Sequence, residues 1–144
     1  MSDVIYFDTS ALAKWYVNEP KSDEVERYIQ EHGPVHISDL TVVEMRSLLA
    51  RHRREKNINA TLETQIFAAF QEDMRQRSLI CHSLPNTFVA ATINILSLLP
   101  GVPLRTLDAL HLAIAREIMA GTVATADRVM ALGAEAFGLS VARF

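Results

Sequence analysis

Two spacings of apolar residues alternate along the chain. Short runs read as strands: Val4-Ile5-Tyr6-Phe7, Val35-His36-Ile37-Ser38, Ser78 to Ser83, Thr122-Val123-Ala124-Thr125 and, most weakly, Leu139-Ser140-Val141-Ala142. Between them apolar positions recur one helical turn apart. A first helix follows Asp8-Thr9-Ser10 through Leu12 and Trp15 and stops near Asn18-Glu19-Pro20. A second begins at Ser22 or Asp23, carries Val25, Tyr28 and Ile29 on one face, and ends at Gly33-Pro34. Thr41 opens a helix to about Lys56 with Val42, Met45, Leu48 and Leu49 as its stripe. Another covers roughly Thr61 to Arg77, with Leu62, Ile66, Phe67, Phe70 and Met74 in register, and a further one runs from about Thr87 to Leu98. After the loop Pro100 to Pro103, Thr106 starts a strongly apolar helix that Gly121 ends. A short helix after Asp127 reaches Leu132 or Gly133. Strands alternating with helices, several helices falling between strands, imply an α/β fold with a parallel sheet covered on both faces. No repeat, low-complexity tract or linker interrupts the pattern, so residues 1–144 are expected to form a single domain.

Composition narrows the setting. Hydrophobic residues make up 49% of the 144, enough for a core without metal or disulfide staples. The single cysteine, Cys81, excludes an internal disulfide, suits a reducing compartment, and beside Leu79 and Ile80 is expected to be a buried thiol. The N-terminus shows no signal-peptide pattern, and the most apolar segment, Phe88 to Leu99, is too short to cross a bilayer. The protein is expected to be soluble and cytoplasmic, with no membrane partner. The net charge of −3 is unusual for a nucleic-acid binder, unless several acids share a pocket in which cations neutralise them.

Four acids occupy positions that such a sheet would bring together. Asp8 follows the first strand and Asp127 the fourth; Glu44 lies in the helix after the second strand; Asp108 lies in the first turn of the helix that feeds the fourth. Sites in open parallel sheets form beyond the carboxyl ends of the strands. Each acid also has a plain reading. Asp8 and Asp127 suit helix N-caps, Glu44 has capping-box spacing from Thr41, and Asp108 suits the helix dipole. Capping does not explain the apolar surroundings of Asp8 and Asp108, which imply burial, and buried carboxylates are costly unless paired or metal-bound. An all-oxygen cluster favours Mg²⁺ or Mn²⁺. Zinc is disfavoured because the five histidines have no ligand spacing. His111, one turn from Asp108, reads either as a buried structural histidine or as the group that orients that carboxylate.

Tyr6-Phe7-Asp8-Thr9-Ser10-Ala11-Leu12, Ile37 to Glu44, Leu104-Arg105-Thr106-Leu107-Asp108-Ala109-Leu110-His111-Leu112-Ala113 and Thr125-Ala126-Asp127 resemble, in order, the signature blocks of PIN-domain ribonucleases, in particular VapC-type toxins of toxin–antitoxin pairs. The resemblance implies a three-layer α/β/α sandwich around a parallel sheet. It implies Asp8, Glu44, Asp108 and Asp127 as catalytic and metal-binding residues, with Ser10 and Thr125 as polar neighbours. It further implies Mg²⁺- or Mn²⁺-dependent endonucleolytic cleavage of RNA, a small VapB-like antitoxin whose C-terminal tail covers the pocket, and a homodimer.

On this reading Asp8 and Asp108 are the main ligands, and Asp127 and Glu44 complete the shell or orient the attacking water. Arg105, beside the acids, is the best single contact for substrate. Arg46, Arg53 and Arg54, in a basic stretch that includes Arg51, His52 and Lys56, form either an RNA or antitoxin track or a solvated helix end. Leu12, Trp15 and Tyr16 are expected in the core, and the Leu62-to-Met74 stripe either there or in a partner groove. A receiver domain would need adjacent acids after the first strand and a lysine after the last, and neither is present; no Gly-Lys-Ser/Thr loop exists for nucleotide binding. The remaining alternative is a non-catalytic module of the same fold that binds RNA or a partner.

Overall fold

In the computed structural model, which describes residues 2–144, five short strands form one parallel sheet in the order β3-β2-β1-β4-β5. The strands are β1 (Ile5–Phe7), β2 (Val35–Ser38), β3 (Leu79–His82), β4 (Thr122–Thr125) and β5 (Ser140–Arg143). The helices are α1 (Thr9–Tyr16), α2 (Ser22–His32), α3 (Asp39–Arg54), α4 (Ala60–Arg75), α5 (Phe88–Leu98), α6 (Thr106–Glu117) and α7 (Arg128–Ala136).

Alternation along β1 divides the core in two. Ile5 and Phe7 face α1 to α4, packing with Leu12, Val25, Met45 and Phe70. Tyr6 faces the other way, among Ile95 of α5, Leu112 of α6 and Met130 of α7. Each face of the sheet is therefore roofed by helices, which gives the expected three layers. Leu12 is fully buried, and Trp15 and Tyr16 pack partly buried against the first core. The α4 stripe divides: Phe67, Phe70 and Met74 join that core, whereas Leu62 is exposed.

Three of the boundaries that differ from the sequence reading have a specific packing or capping cause. Helix α3 begins at Asp39 because Ser38 and Thr41 form the capping box, so Glu44 is not the residue that reaches back to the cap. Gly133 does not end α7, which continues to Ala136. A Cβ there would lie 2.8 Å from Leu112 Cδ1, so glycine allows α6 and α7 to pack closely. Helix α6 closes at Glu117, with Met119 in the left-handed region (φ 55°). Gly121 is required instead by close passage of the chain, since a Cβ there would lie 2.2 Å from the Ser2 carbonyl oxygen. Cys81 is a correction as well. It is exposed: β3 is an edge strand, and although Cys81 shares a face with the buried Leu79 it lies nearer the strand's carboxyl end, beyond the cover that Leu79 receives. Its thiol lies 3.5 Å from Asp39 Oδ1.

Candidate active site

The strand order reverses beside β1: the chain moves outward to β2 and β3, then returns to lay β4 on the other flank of β1. The carboxyl ends of β1 and β4 thus border the crevice where open α/β sheets place their ligands. Asp8 emerges from β1 and Asp127 follows β4. Its cleft, about 440 Å³, is lined by Asp8, Ser10, Glu44, Arg105, Asp108 and Asp127, with Thr9 and His111 in its wall.

Asp8 is the most constrained of these acids. Its amide continues the ladder to the Ala124 carbonyl at 3.0 Å, and its carboxylate caps α1 by accepting from the Ala11 amide at 3.0 Å. Ser10 Oγ donates to Oδ1 at 2.7 Å, and Thr125 Oγ1 donates to Oδ2 at 2.5 Å. The same hydroxyls tie down the end of β4: Ser10 Oγ accepts from the Ala126 amide at 2.9 Å and Thr125 Oγ1 from the Asp127 amide at 2.9 Å. Asp8 is only 4% exposed. Burial pushes its carboxyl above the ordinary carboxylate range, against the pull of Ser10, Thr125, the His111 charge and the Ala11 amide.

Asp127 caps α7, its Oδ1 accepting from the amides of Val129 (2.7 Å) and Met130 (3.2 Å). Asp108 Oδ2 accepts from the Arg105 amide at 3.2 Å, closing the first turn of α6. Capping and site membership therefore coincide in these three acids. The expectation that Asp108 is buried is corrected: it is half-buried at the mouth of the cleft, on a helix start whose Leu107 faces solvent.

Glu44 is reached from the opposite wall. Its Oε1 accepts from Thr9 Oγ1 at 2.8 Å and from His111 Nε2 in a close contact. Burial raises its carboxyl, but His111, by hydrogen bond and by charge, and Thr9 outweigh this and hold it below the ordinary range. The other ring nitrogen of His111, Nδ1, lies 2.6 Å from Tyr6 Oη, which is also 3.0 Å from Ser38 Oγ. His111 is 4% exposed, and its two nitrogens engage Glu44 and Tyr6 rather than Asp108. Sequence reasoning missed Thr9, Tyr6 and Ser38 as members of this set. The signal was a tyrosine inside an apolar strand, since a buried phenol demands a partner.

Donor chemistry suits a hard divalent cation. Every carboxylate lining the cleft offers oxygen, the histidine in its wall is committed through both nitrogens, and among the described residues no cationic side chain is in direct contact with the buried Asp8 carboxylate. Among the described residues no three His, Cys, Asp or Glu side chains form a ready-made cage. Such an arrangement fits Mg²⁺ or Mn²⁺, which take one or two carboxylates and fill the remaining positions with water and phosphate oxygens.

The basic stretch behaves differently from the acids. Arg46 and Arg53 both grip Glu63 of α4, at 2.9 and 3.1 Å, and Arg46 also lies over the Phe67 ring. They tie α3 to α4 and project outside the cleft lining, as does Arg54; Arg105 lines it.

Comparison with known proteins agrees with this architecture. The PIN domain model matches residues 5–135. Ribonuclease VapC46 of Mycobacterium tuberculosis is 31% identical over 140 residues, spanning 95% of each chain. FitAcB from Neisseria gonorrhoeae superposes with a TM-score of 0.71 at 20% identity over 96% of both chains. VapBC2 from Rickettsia felis, bound to a promoter DNA fragment, does so with a TM-score of 0.66 at 13% identity over 98% of both. At such identities these two structures speak for the fold alone.

Proposed function

The chain belongs to the PIN-domain family, and from that premise we propose that it is a metal-dependent endoribonuclease, the toxin of a toxin–antitoxin pair. The observation that carries this reading is the arrival of Asp8, Glu44, Asp108 and Asp127, from four separate segments, in one cleft at the point where the strand order reverses. The name of its relative, a ribonuclease, supports RNA as the substrate.

Asp8 and Asp108 are the principal ligands for Mg²⁺ or Mn²⁺. Asp127 and Glu44 complete the shell or hold the attacking water. The cation supplies two things when bound: it offsets the negative charge that would otherwise repel a phosphodiester, and it makes water acidic enough to attack at neutral pH. The chain's own residues do the rest. Ser10 and Thr125 fix both oxygens of Asp8, so that the carboxylate loses little freedom on loading. The backbone amides at the starts of α6 and α7 hold one oxygen each of Asp108 and Asp127. Arg105, on the rim, contacts the incoming phosphate.

The reading takes residues 1–144 as a single cytoplasmic PIN-like domain; among the described residues no helix is long and apolar enough to cross a membrane. Its partners are a second copy of the chain and a VapB-like antitoxin whose C-terminal tail covers the cleft. The VapC name of its 31% identical relative supports the antitoxin.

The test is cleavage of total cellular RNA by the purified chain. Mg²⁺ or Mn²⁺ should support discrete cuts, EDTA should abolish them, and Asp108→Asn should lose nearly all activity. A wild-type chain that binds RNA but leaves it intact with either metal would refute the reading in favour of a non-catalytic binding module.

A further inference from the structure

Two donors converge on one oxygen of Glu44. Thr9 Oγ1 and His111 Nε2 both point at Oε1; among the described residues neither donates to Oε2. Because an ionised carboxylate only accepts, Nε2 must carry a proton. Behind it stands a line of groups with little freedom. His111 Nδ1 meets Tyr6 Oη, and Tyr6 Oη meets Ser38 Oγ. Tyr6 is fully buried and Ser38 is fully buried. Ser38 is itself fixed as the cap of the helix that carries Glu44. The chain of contacts thus starts and ends on α3: Ser38 at its cap, Tyr6 on β1, His111 on α6, Glu44 one and a half turns into α3.

We propose that His111 is a positioning residue: together with Thr9 it clamps Glu44 by Oε1 and presents Oε2 to the cleft, with Tyr6 and Ser38 fixing the imidazole ring behind it. Without these contacts a glutamate side chain that is 23% exposed would sample several rotamers and offer either oxygen. The clamp reduces this to one oxygen in one direction, which is what a group that orders a water molecule or completes a cation's shell requires. The proposal rests on the nuclease reading for what the presented oxygen does, but the clamp itself is a property of the metal-free chain.

Two substitutions separate the ends of the imidazole. Glutamine places an amide nitrogen where Nε2 stands, and asparagine places its polar group nearer Nδ1. His111→Gln keeps a donor to Glu44, whereas His111→Asn keeps a partner for Tyr6 and drops Glu44. With RNA and Mg²⁺, His111→Asn should lower kcat by about 10- to 100-fold with little change in KM, and His111→Gln should recover most of the loss. The second measurement needs no activity. Long-range ¹H–¹⁵N correlation spectra of the metal-free full chain should show His111 protonated at Nε2, with a resonance that moves in Glu44→Gln and Thr9→Val. Should His111→Asn fail to fold, Thr9→Val and Tyr6→Phe report on the same clamp from its other contacts, each lowering kcat more than KM.

Equal activity of the two His111 variants, or losses that merely follow their melting temperatures, would overturn the clamp and leave the nuclease reading intact. A wild-type chain inactive on RNA but showing the Nε2 signature and its response to Glu44→Gln would overturn the nuclease reading and leave the clamp standing. A His111 protonated at Nδ1 alone would overturn the clamp whatever the activity.

Discussion

Asp8→Asn separates what the carboxylate does for chemistry from what it costs the fold. Asparagine caps a helix as well as aspartate does, so the bond from the Ala11 amide (3.0 Å) and that from Ser10 Oγ (2.7 Å) survive on the remaining oxygen. The Thr125 hydroxyl, which now donates at 2.5 Å, would face an amide nitrogen and must turn; that loss costs about 1 kcal/mol. Against it stands the removal of a buried charge. Because burial raises the Asp8 carboxyl above its unfolded value, its contribution to stability is fully present below the unfolded pKa of about 4 and is lost as pH rises through the folded value, at about 1.4 kcal/mol per unit of separation. At neutral pH in EDTA the variant should therefore melt within a few degrees of wild type or above it. Adding Mg²⁺ at about 100 times its Kd should stabilise the wild type by about 2.7 kcal/mol, roughly 5–10 °C for a chain of this size, and should barely move the variant, which also loses RNA cleavage. Thermal melts followed by circular dichroism, with EDTA and with Mg²⁺, measure all of this. A variant that is destabilised by more than about 3 kcal/mol in EDTA and still gains the full Mg²⁺ shift would show that Asp8 is a structural cap and that the cation sits elsewhere.

Other consequences can be checked as directly. Arg105→Ala should weaken RNA binding and lower the slope of log affinity against log salt by about 1, while Arg53→Ala should change it less because Glu63 already pairs with Arg53; equal slopes for both would refute the assignment. Gly133→Ala should change stability by no more than about 1 kcal/mol, as read by urea denaturation, because the close contacts are methyl ends of Leu112 and Leu104 that can turn aside and the crowding is offset by a gain in helix propensity of about 1 kcal/mol. Cys81 is exposed, yet burial of the thiol and its contact with Asp39 push it up to about 11. Alkylation should be slow at pH 7 and accelerate towards pH 11, and Asp39→Asn should shift that profile to lower pH.

Much of the molecule could be read from its sequence for one reason: each acid borders an element whose pattern is strong. The run Ile5-Tyr6-Phe7 and the stop at Asp8 define a buried strand and its exit, and the apolar stripe after Thr106 defines the helix that brings in Asp108. Parallel order then brings the exits of β1 and β4, and with them Asp8 and Asp127, to the same edge of the sheet, as the β1–β4 register and the shared cleft show. What the sequence left open depends on contacts between distant segments. The partner of His111 lies 67 positions away on α3, and intrahelical spacing points only at Asp108. Exposure of Cys81 follows from β3 being an edge, which its neighbours Leu79 and Ile80 do not reveal. Gly133 reads as a stop because glycine ends helices more often than it relieves a crossing. The pairing of Arg46 and Arg53 with Glu63 depends on how α3 meets α4, which no local pattern encodes.

The neighbour relation of β1 and β4 has a consequence for how such a protein comes into being. Tyr6 registers with Val123, so the central pairing waits for more than a hundred intervening residues to leave the ribosome, and long-range pairings of this kind are slow to close. Until then a growing chain holds Asp8, Glu44 and, late on, Asp108, but Asp127 and the hydroxyl of Thr125, which holds Asp8, have not arrived. On the reading proposed above, a nascent toxin is harmless to the messenger and ribosome that produce it, and becomes dangerous only once β4 has docked.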